Sequence, residues 1–209
     1  MAREARDIRI SRRSWLLAGL AIPAFRLRAA EALSASFDGD DIHPIAPTLH
    51  FLSGKSLQRL KNGNTVVFLS QLTLFSDERR LVPVHKEPDR LIVSYDIWEE
   101  NRFSVSIPPP ARRSIHAVPA EVAEAWCLEN LSISASGIPP DRPFWLRFEL
   151  RSADPKDFAG VMSQSGISIP RMIDWLSRKP GADEDHWMLD SGRLRLNDLV
   201  RITGRPRNG

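Results

Sequence analysis

The chain has 209 residues with 29 basic and 26 acidic side chains, and its formal net charge at pH 7 is +3. Residues 1–32 hold 7 of the basic and 3 of the acidic side chains, so the remaining 177 residues carry 22 − 23 = −1. A nucleic-acid interface needs basic side chains gathered on one face, so this balance predicts no nucleic-acid partner. The single cysteine, Cys127, excludes a disulfide within the chain.

Residues 1–32 have the pattern of an export signal. They combine a basic start, the apolar run 15–25 and a small-x-small end at Ala30 and Ala32, which are the three parts of a secretory signal. Arg12 and Arg13 stand in SRRSWL, which resembles the twin-arginine export motif. The alternatives are an amphipathic helix and an uncleaved anchor, but eleven apolar residues are too few to span ~30 Å of bilayer. We therefore predict a periplasmic or secreted protein with no transmembrane span in the mature chain.

The segment after the signal is predicted to be a linker over residues 33–47. Its acidic run, Phe37 to Asp41, does not fit an EF-hand loop, because the sixth and twelfth positions counted from Asp38 are His43 and Leu49. Residues 48–199 are long enough to form one self-sufficient domain, since a chain of this size buries roughly 70% of its unfolded surface. Residues 200–209 are predicted to be a basic, flexible tail.

The first half of the domain is predicted to be mostly β. Residues 48–52 indicate a short strand, and residues 54–60 indicate a helix that ends near Gly63. The run 65–75 is rich in β-branched and aromatic residues and alternates like a strand with one buried face. After a turn at 87–89, residues 89–98 and 102–107 alternate again and predict a hairpin.

The second half repeats short strands and adds helices. Strands are predicted at 113–118, 131–135 and 144–151. A helix is predicted over 120–129, with Val122, Ala125 and Trp126 on one inward stripe and Cys127 as a buried structural thiol. Two further helices are predicted at 154–164 and 170–179, followed by a closing hairpin over 186–196. The fold class is therefore mainly β, a β-rich α+β antiparallel sandwich or strongly curved sheet with three or four short helices. The similar order of elements in the two halves leaves an internal repeat as an alternative.

The sequence contains no recognisable catalytic constellation. The run 160–166 (GVMSQSG) lacks the Gly-x-Ser-x-Gly spacing of a nucleophile elbow, and no glycine-rich phosphate loop is present. None of the five histidines is paired at a local metal-ligand spacing. His186 follows three acidic residues and is the one metal candidate, although a solvated acidic turn explains it as well. We predict no catalytic residue, no cofactor and no metal ligand.

Two tryptophans and an arginine are the candidate binding residues. Trp98 lies beside the predicted hairpin turn, and Trp145 shares the polar face of its strand with Arg147. Exposed tryptophans are frequent interaction hot spots, so these residues predict an interface with a protein or envelope component. The alternative is that the helices within 155–179 cover them.

A resemblance supports the exported, β-rich interpretation. The helix closing at Leu57 to Gly63, the strand after it, the YDIW segment at 95–98 and WMLDSG at 187–192 resemble an uncharacterised family of exported bacterial proteins, a domain of unknown function. The resemblance covers about residues 49–198 and implies no catalytic residue. We therefore expect an exported binding or interaction domain. The alternatives are a cofactor- or metal-binding enzyme that is exported folded, and a carrier of a small ligand.

Overall fold

The computed structural model describes residues 33–99, 101–108, 112–153, 169–181 and 184–202. The predicted signal at 1–32, the predicted helix at 154–164 and residues 203–209 of the predicted tail lie outside these ranges. Within them the chain forms, in chain order, β1 (Ser34–Asp38), β2 (Asp41–Ile45), α1 (Gly54–Lys61), β3 (Val66–Phe75), β4 (Pro83–Asp96), β5 (Arg102–Ile107), β6 (Arg113–Val118), α2 (Ala120–Glu129), β7 (Ile133–Ser134), β8 (Trp145–Ala153), α3 (Ile169–Ser177), β9 (His186–Asp190) and β10 (Val200–Arg201). A short 3-10 helix at Leu196–Asp198 lies between β9 and β10.

The strands form two sheets. The larger has the order β6-β5-β4-β3-β8-β9, and the smaller has the order β10-β1-β2-β7. Neighbouring strands are antiparallel, except that β1 and β10 are parallel. The prediction of a mainly β fold with short helices is confirmed. Among the described residues no helix has both the length and the apolar composition needed to cross a membrane.

Strand β3 lies at the centre of the large sheet and is buried on both faces. Phe68 and Leu72 face the main core between the sheets, where Phe68 meets Phe51 edge-to-face at 5.1 Å between ring centroids. Val67 and Leu69 point the other way and pack with residues of α3. The nearly continuous apolar run of β3 is typical of a strand covered on both sides, so the prediction of a single buried face was wrong for this strand.

The predicted linker over residues 33–47 was wrong, because most of it forms the hairpin β1–β2 of the small sheet. Gly39 has a φ of +63° and stands between the two strands, in a conformation that glycine adopts at little cost. Ala35 and Ile42 are buried in the main core. Pro44 is tolerated because β2 pairs with β7 at Asp41 and Ile42, and no described strand pairs with that side of Pro44.

Strand β4 runs through the turn that we predicted at residues 87–89. It pairs with β3 along nearly its whole length, and Pro88 lies opposite Gln71. Its other neighbour, β5, begins pairing only at Ile92. Pro88 therefore lies in a part of β4 with no described strand on its second side, so its missing backbone N–H removes no hydrogen bond to such a strand.

Three further expectations near the edges of the domain were wrong. Residues 48–52 form a loop, not a strand, and Phe51 in that loop is 1% exposed. The predicted closing hairpin does not fold back on β9, because Leu194 bridges to Phe144 beside β8. Val200 and Arg201 of the predicted tail pair with β1. The edge of a sheet has free backbone N–H and C=O groups that can pair with a strand of almost any sequence, so the sequence of the tail did not predict this pairing.

Candidate functional site

A cavity of about 390 Å³ lies between α2 and the small sheet. On the helix side its wall is formed by Glu121, Glu124, Ala125 and Leu128, which share one face because they are three or four residues apart. The opposite wall comes from β1, β2 and the loop after β2, including His50. Most of the lining is apolar, with a few polar groups among it, which is the usual composition of a small-molecule site.

Ser36 and His43 form the polar part of the strand wall. The two residues lie directly opposite each other in the β1–β2 pair, so their side chains share one face of the sheet. Ser36 is 1% exposed, and its Oγ atom has no hydrogen-bond partner within the part of the chain that the structure describes. His43 Nδ1 lies 2.9 Å from the carbonyl oxygen of Leu131. A carbonyl only accepts, so Nδ1 carries the proton and Nε2 of the neutral ring is an acceptor.

Glu124 anchors the loop after β2 to α2. The residue is 5% exposed, and its Oε1 accepts the backbone N–H of Leu52 at 2.7 Å. Its Oε2 lies 3.0 Å from Nδ1 of His50, whose side chain is 65% exposed. Since the carboxylate accepts, His50 donates through Nδ1, and its Nε2 in the neutral ring is an acceptor. The buried carboxylate is therefore satisfied by two donors, as its position requires.

Cys127 lies on the side of α2 that faces the core. It is fully buried, and burial together with the carboxylates of Glu124 and Asp89 raises the pKa of its thiol far above the ordinary value. The side chain therefore stays protonated and packs as a small apolar group. The prediction of a buried structural thiol is confirmed.

The predicted binding residues do not come together. Trp145 pairs with Phe75 at one end of β3, whereas Trp98 follows β4 near the other end, where Val93 pairs with Val66. Nine residues of extended strand separate these two positions of β3, or roughly 30 Å. Trp98 is 89% exposed, while Trp145 is half-buried.

Arg147 makes contacts within the large sheet. Its Nε and Nη2 atoms donate to the two carboxylate oxygens of Asp190 at 2.8 and 3.1 Å, and its guanidinium lies over the ring of Phe75. The hydrogen bonds to Asp190 raise the pKa of Arg147 above its ordinary value. This bidentate ion pair links β8 to β9.

His186, the metal candidate, belongs to a second polar group on the same face. Its Nε2 lies 3.0 Å from Oε1 of Glu149, which also accepts two hydrogen bonds from Arg151. Arg151 in turn donates to the carbonyl of Arg178 just after α3. Among the residues that the structure describes, no three His, Cys, Asp or Glu side chains are grouped so that they could hold a metal ion.

The cavity residues of β1 and β2 were not predicted, because the pattern of residues 33–47 indicated a linker. A usable signal was present: Ala35 and Phe37 alternate before a Gly-Asp turn, and Ile42 follows it. The partnership of Glu124 with Leu52 had no signal, because 72 residues separate them. No protein-family model matches this chain, and neither a curated protein nor a solved structure is significantly similar to it.

Proposed function

We propose that this chain is a binding domain whose ligand is a small, mainly apolar molecule that occupies the cavity beside α2. The observation that carries the proposal concerns Ser36, a residue of the cavity lining whose buried Oγ atom has no hydrogen-bond partner among the described residues. An unsatisfied buried polar group costs roughly 1–3 kcal/mol. A ligand with one polar group would remove that cost on binding.

The size of the cavity supports the same proposal. A volume of about 390 Å³ corresponds to roughly a dozen water-sized groups, since one water occupies about 30 Å³ in the liquid. Leu128, Ala125 and Ile45 contribute apolar surface to the lining. Burial of apolar ligand surface there would drive binding, and the few polar groups would orient the ligand.

The geometry favours binding over acyl transfer. A serine nucleophile needs a base within hydrogen-bond reach and a third group that orients the base. Ser36 Oγ makes no hydrogen bond with His43, so His43 does not take its proton in this arrangement. The imidazole of His43 is held by a backbone carbonyl and not by a carboxylate.

Filling the cavity tests the proposal. Ala125 is exposed and lines the cavity, so Ala125→Trp should block the entrance without disturbing the core. Val122 on the same helix is 46% exposed and does not line the cavity, so Val122→Trp is the matched control. We expect Nile red, a neutral apolar dye, to bind the wild type and Val122→Trp with enhanced fluorescence and to lose most of its affinity for Ala125→Trp. Equal dye binding by all three proteins would contradict the proposal.

We also propose that the domain works outside the cytoplasm, in the periplasm or after secretion. The support is the sequence pattern of residues 1–32, with Arg12 and Arg13 ahead of an apolar run and Ala30 and Ala32 at its end. Replacing both arginines by lysine in the full chain should leave the protein in the cytoplasmic fraction. Unchanged recovery in the periplasmic fraction would contradict the twin-arginine route.

A second candidate function is contact with a protein or envelope partner through Trp98. This side chain is 89% exposed, and Oδ1 of Asp96 accepts the backbone N–H groups of Trp98 and Glu99 at 2.8 and 3.2 Å. The turn therefore holds a large apolar side chain in water, which is a common feature of interaction sites. Trp98→Ala should lower recovery of a specific envelope protein relative to Trp145→Ala, and equal recovery would remove this candidate.

A further inference from the structure

We infer that the cavity beside α2 selects a ligand that carries a positive charge, namely a small apolar amine or a comparable organic cation. This inference rests on the proposed binding function and adds the chemical class of the ligand. It depends on the charges of the lining, on the direction of its hydrogen bonds and on the unpartnered Ser36.

The charged side chains of the lining are acidic. Glu121, Glu124 and Glu129 of α2 all line the cavity, and its described lining includes no lysine or arginine. The two histidines of the lining, His43 and His50, count as neutral in the formal charge at pH 7. The formal charge of the wall at that pH is therefore −3, contributed by the three glutamates.

One of the three carboxylates, that of Glu124, is buried, which strengthens its effect on a bound molecule. Glu124 is 5% exposed, so little water screens its carboxylate from a ligand in the cavity. Charges interact more strongly in such an environment than in bulk water. A cation would be attracted by this wall, and an anion of the same size and shape would be repelled.

The polar groups of the lining are mainly acceptors. Because Nδ1 donates in both His43 and His50, the remaining Nε2 atom of each neutral ring can only accept a hydrogen bond. The glutamate carboxylates accept as well, and the hydroxyl oxygen of Ser36 has unused lone pairs. An ammonium group has donors and no acceptor, so it complements this set, whereas a carboxylate ligand would face acceptors on most sides.

Three probes of similar size separate the charge from the apolar contact. Benzylamine is a cation at pH 8, benzyl alcohol is neutral and benzoate is an anion, while all three carry the same ring. We expect isothermal titration calorimetry to show benzylamine binding roughly tenfold more tightly than benzyl alcohol, with benzoate the weakest. Added salt should weaken benzylamine binding and leave benzyl alcohol binding unchanged.

Charge-neutralising variants identify the source of the preference. Glu124→Gln and Glu121→Gln should each lower the affinity for benzylamine several-fold and leave the affinity for benzyl alcohol unchanged. Glu121 is exposed, so its variant keeps the test valid if Glu124→Gln does not fold. Glu99, an exposed carboxylate in the turn after β4, does not line the cavity, and Glu99→Gln is the control that should retain wild-type affinities.

The outcomes distinguish the inference from the proposed function. Equal affinity for benzylamine and benzyl alcohol, or tighter binding of benzoate, would overturn the charge preference while leaving the binding cavity in place. Loss of benzylamine affinity in Glu99→Gln as large as in Glu121→Gln would also overturn it. Failure of all three probes to bind, together with unchanged Nile red binding in Ala125→Trp, would refute both.

Discussion

Replacing Asp185 by alanine is expected to lower the free energy of unfolding by about 2–3 kcal/mol, because Asp185 supplies the cap of α1. Ser53 precedes this helix, yet its side chain makes no capping hydrogen bond. Instead Oδ2 of Asp185 accepts the backbone N–H of Ser56 at 2.7 Å and its hydroxyl at 2.6 Å. Asp185 is held in place by hydrogen bonds between its backbone and Ser152 at the end of β8.

The magnitude follows from the two donors that the substitution would leave unpaired. Ser56 is fully buried, so its N–H would lose the Asp185 acceptor, at about 1–2 kcal/mol, and the hydroxyl would add about 1 kcal/mol. Asp185→Asn keeps one oxygen in place and should cost about 1 kcal/mol. For a domain of this size the alanine variant should melt about 5–10 °C below the wild type.

Urea and thermal unfolding followed by circular dichroism measure these differences. Asp174→Ala is the control, because Asp174 is exposed on α3, and it should stay within ~0.5 kcal/mol of the wild type. In the double variant Ser56→Ala with Asp185→Ala, the hydroxyl donor is absent, so the loss should be smaller than the sum of the single losses. Equal stability of Asp185→Ala and Asp174→Ala would refute the capping argument.

Three further predictions concern the core and the charged groups. Phe68→Ala should cost about 3–5 kcal/mol in urea unfolding, because the ring is fully buried against Phe51, and a loss below 1 kcal/mol would contradict this packing. Burial raises the pKa of Asp89 in the folded protein. The wild type therefore loses stability as the pH rises from about 4 through that raised pKa. Asp89→Asn should be more stable than the wild type at pH 7 but not at pH 3, as measured by urea unfolding at the two pH values. Arg151→Lys should cost about 2 kcal/mol and raise amide exchange in α3, because lysine lacks the separate guanidinium nitrogens with which Arg151 reaches both Glu149 and the carbonyl after α3. Unchanged exchange would show that this link is not needed.

The elements whose local pattern decides their structure were predicted from sequence. The helix over 120–129 begins just after a proline and was assigned with the bounds that the structure shows for α2. The alternating apolar residues of β5 and β8 predicted their strands to within two residues. The hairpin between β4 and β5 was also predicted, because its turn residues separate two alternating runs.

The pattern along α2 did not decide which face of the helix is buried. We expected Val122, Ala125 and Trp126 to face inward, but Ala123 and Cys127 are the fully buried residues, while Val122 and Ala125 are exposed. This helix carries apolar residues on several sides, so its sequence is compatible with more than one orientation. The contacts with the sheets select one of them, and that choice places Ala125 in the wall of the cavity.

The sequence by itself determined the composition, the β-rich class and the local elements, because period-two alternation and turn residues act over a few positions. Only the tertiary structure decided the candidate site, since Ser36 and Glu124 come from elements far apart in the chain and meet across the cavity between the small sheet and α2. The same holds for Asp185, whose carboxylate caps a helix that lies 129 residues earlier. Such contacts depend on how whole elements pack, and no pattern within a short window of residues specifies them.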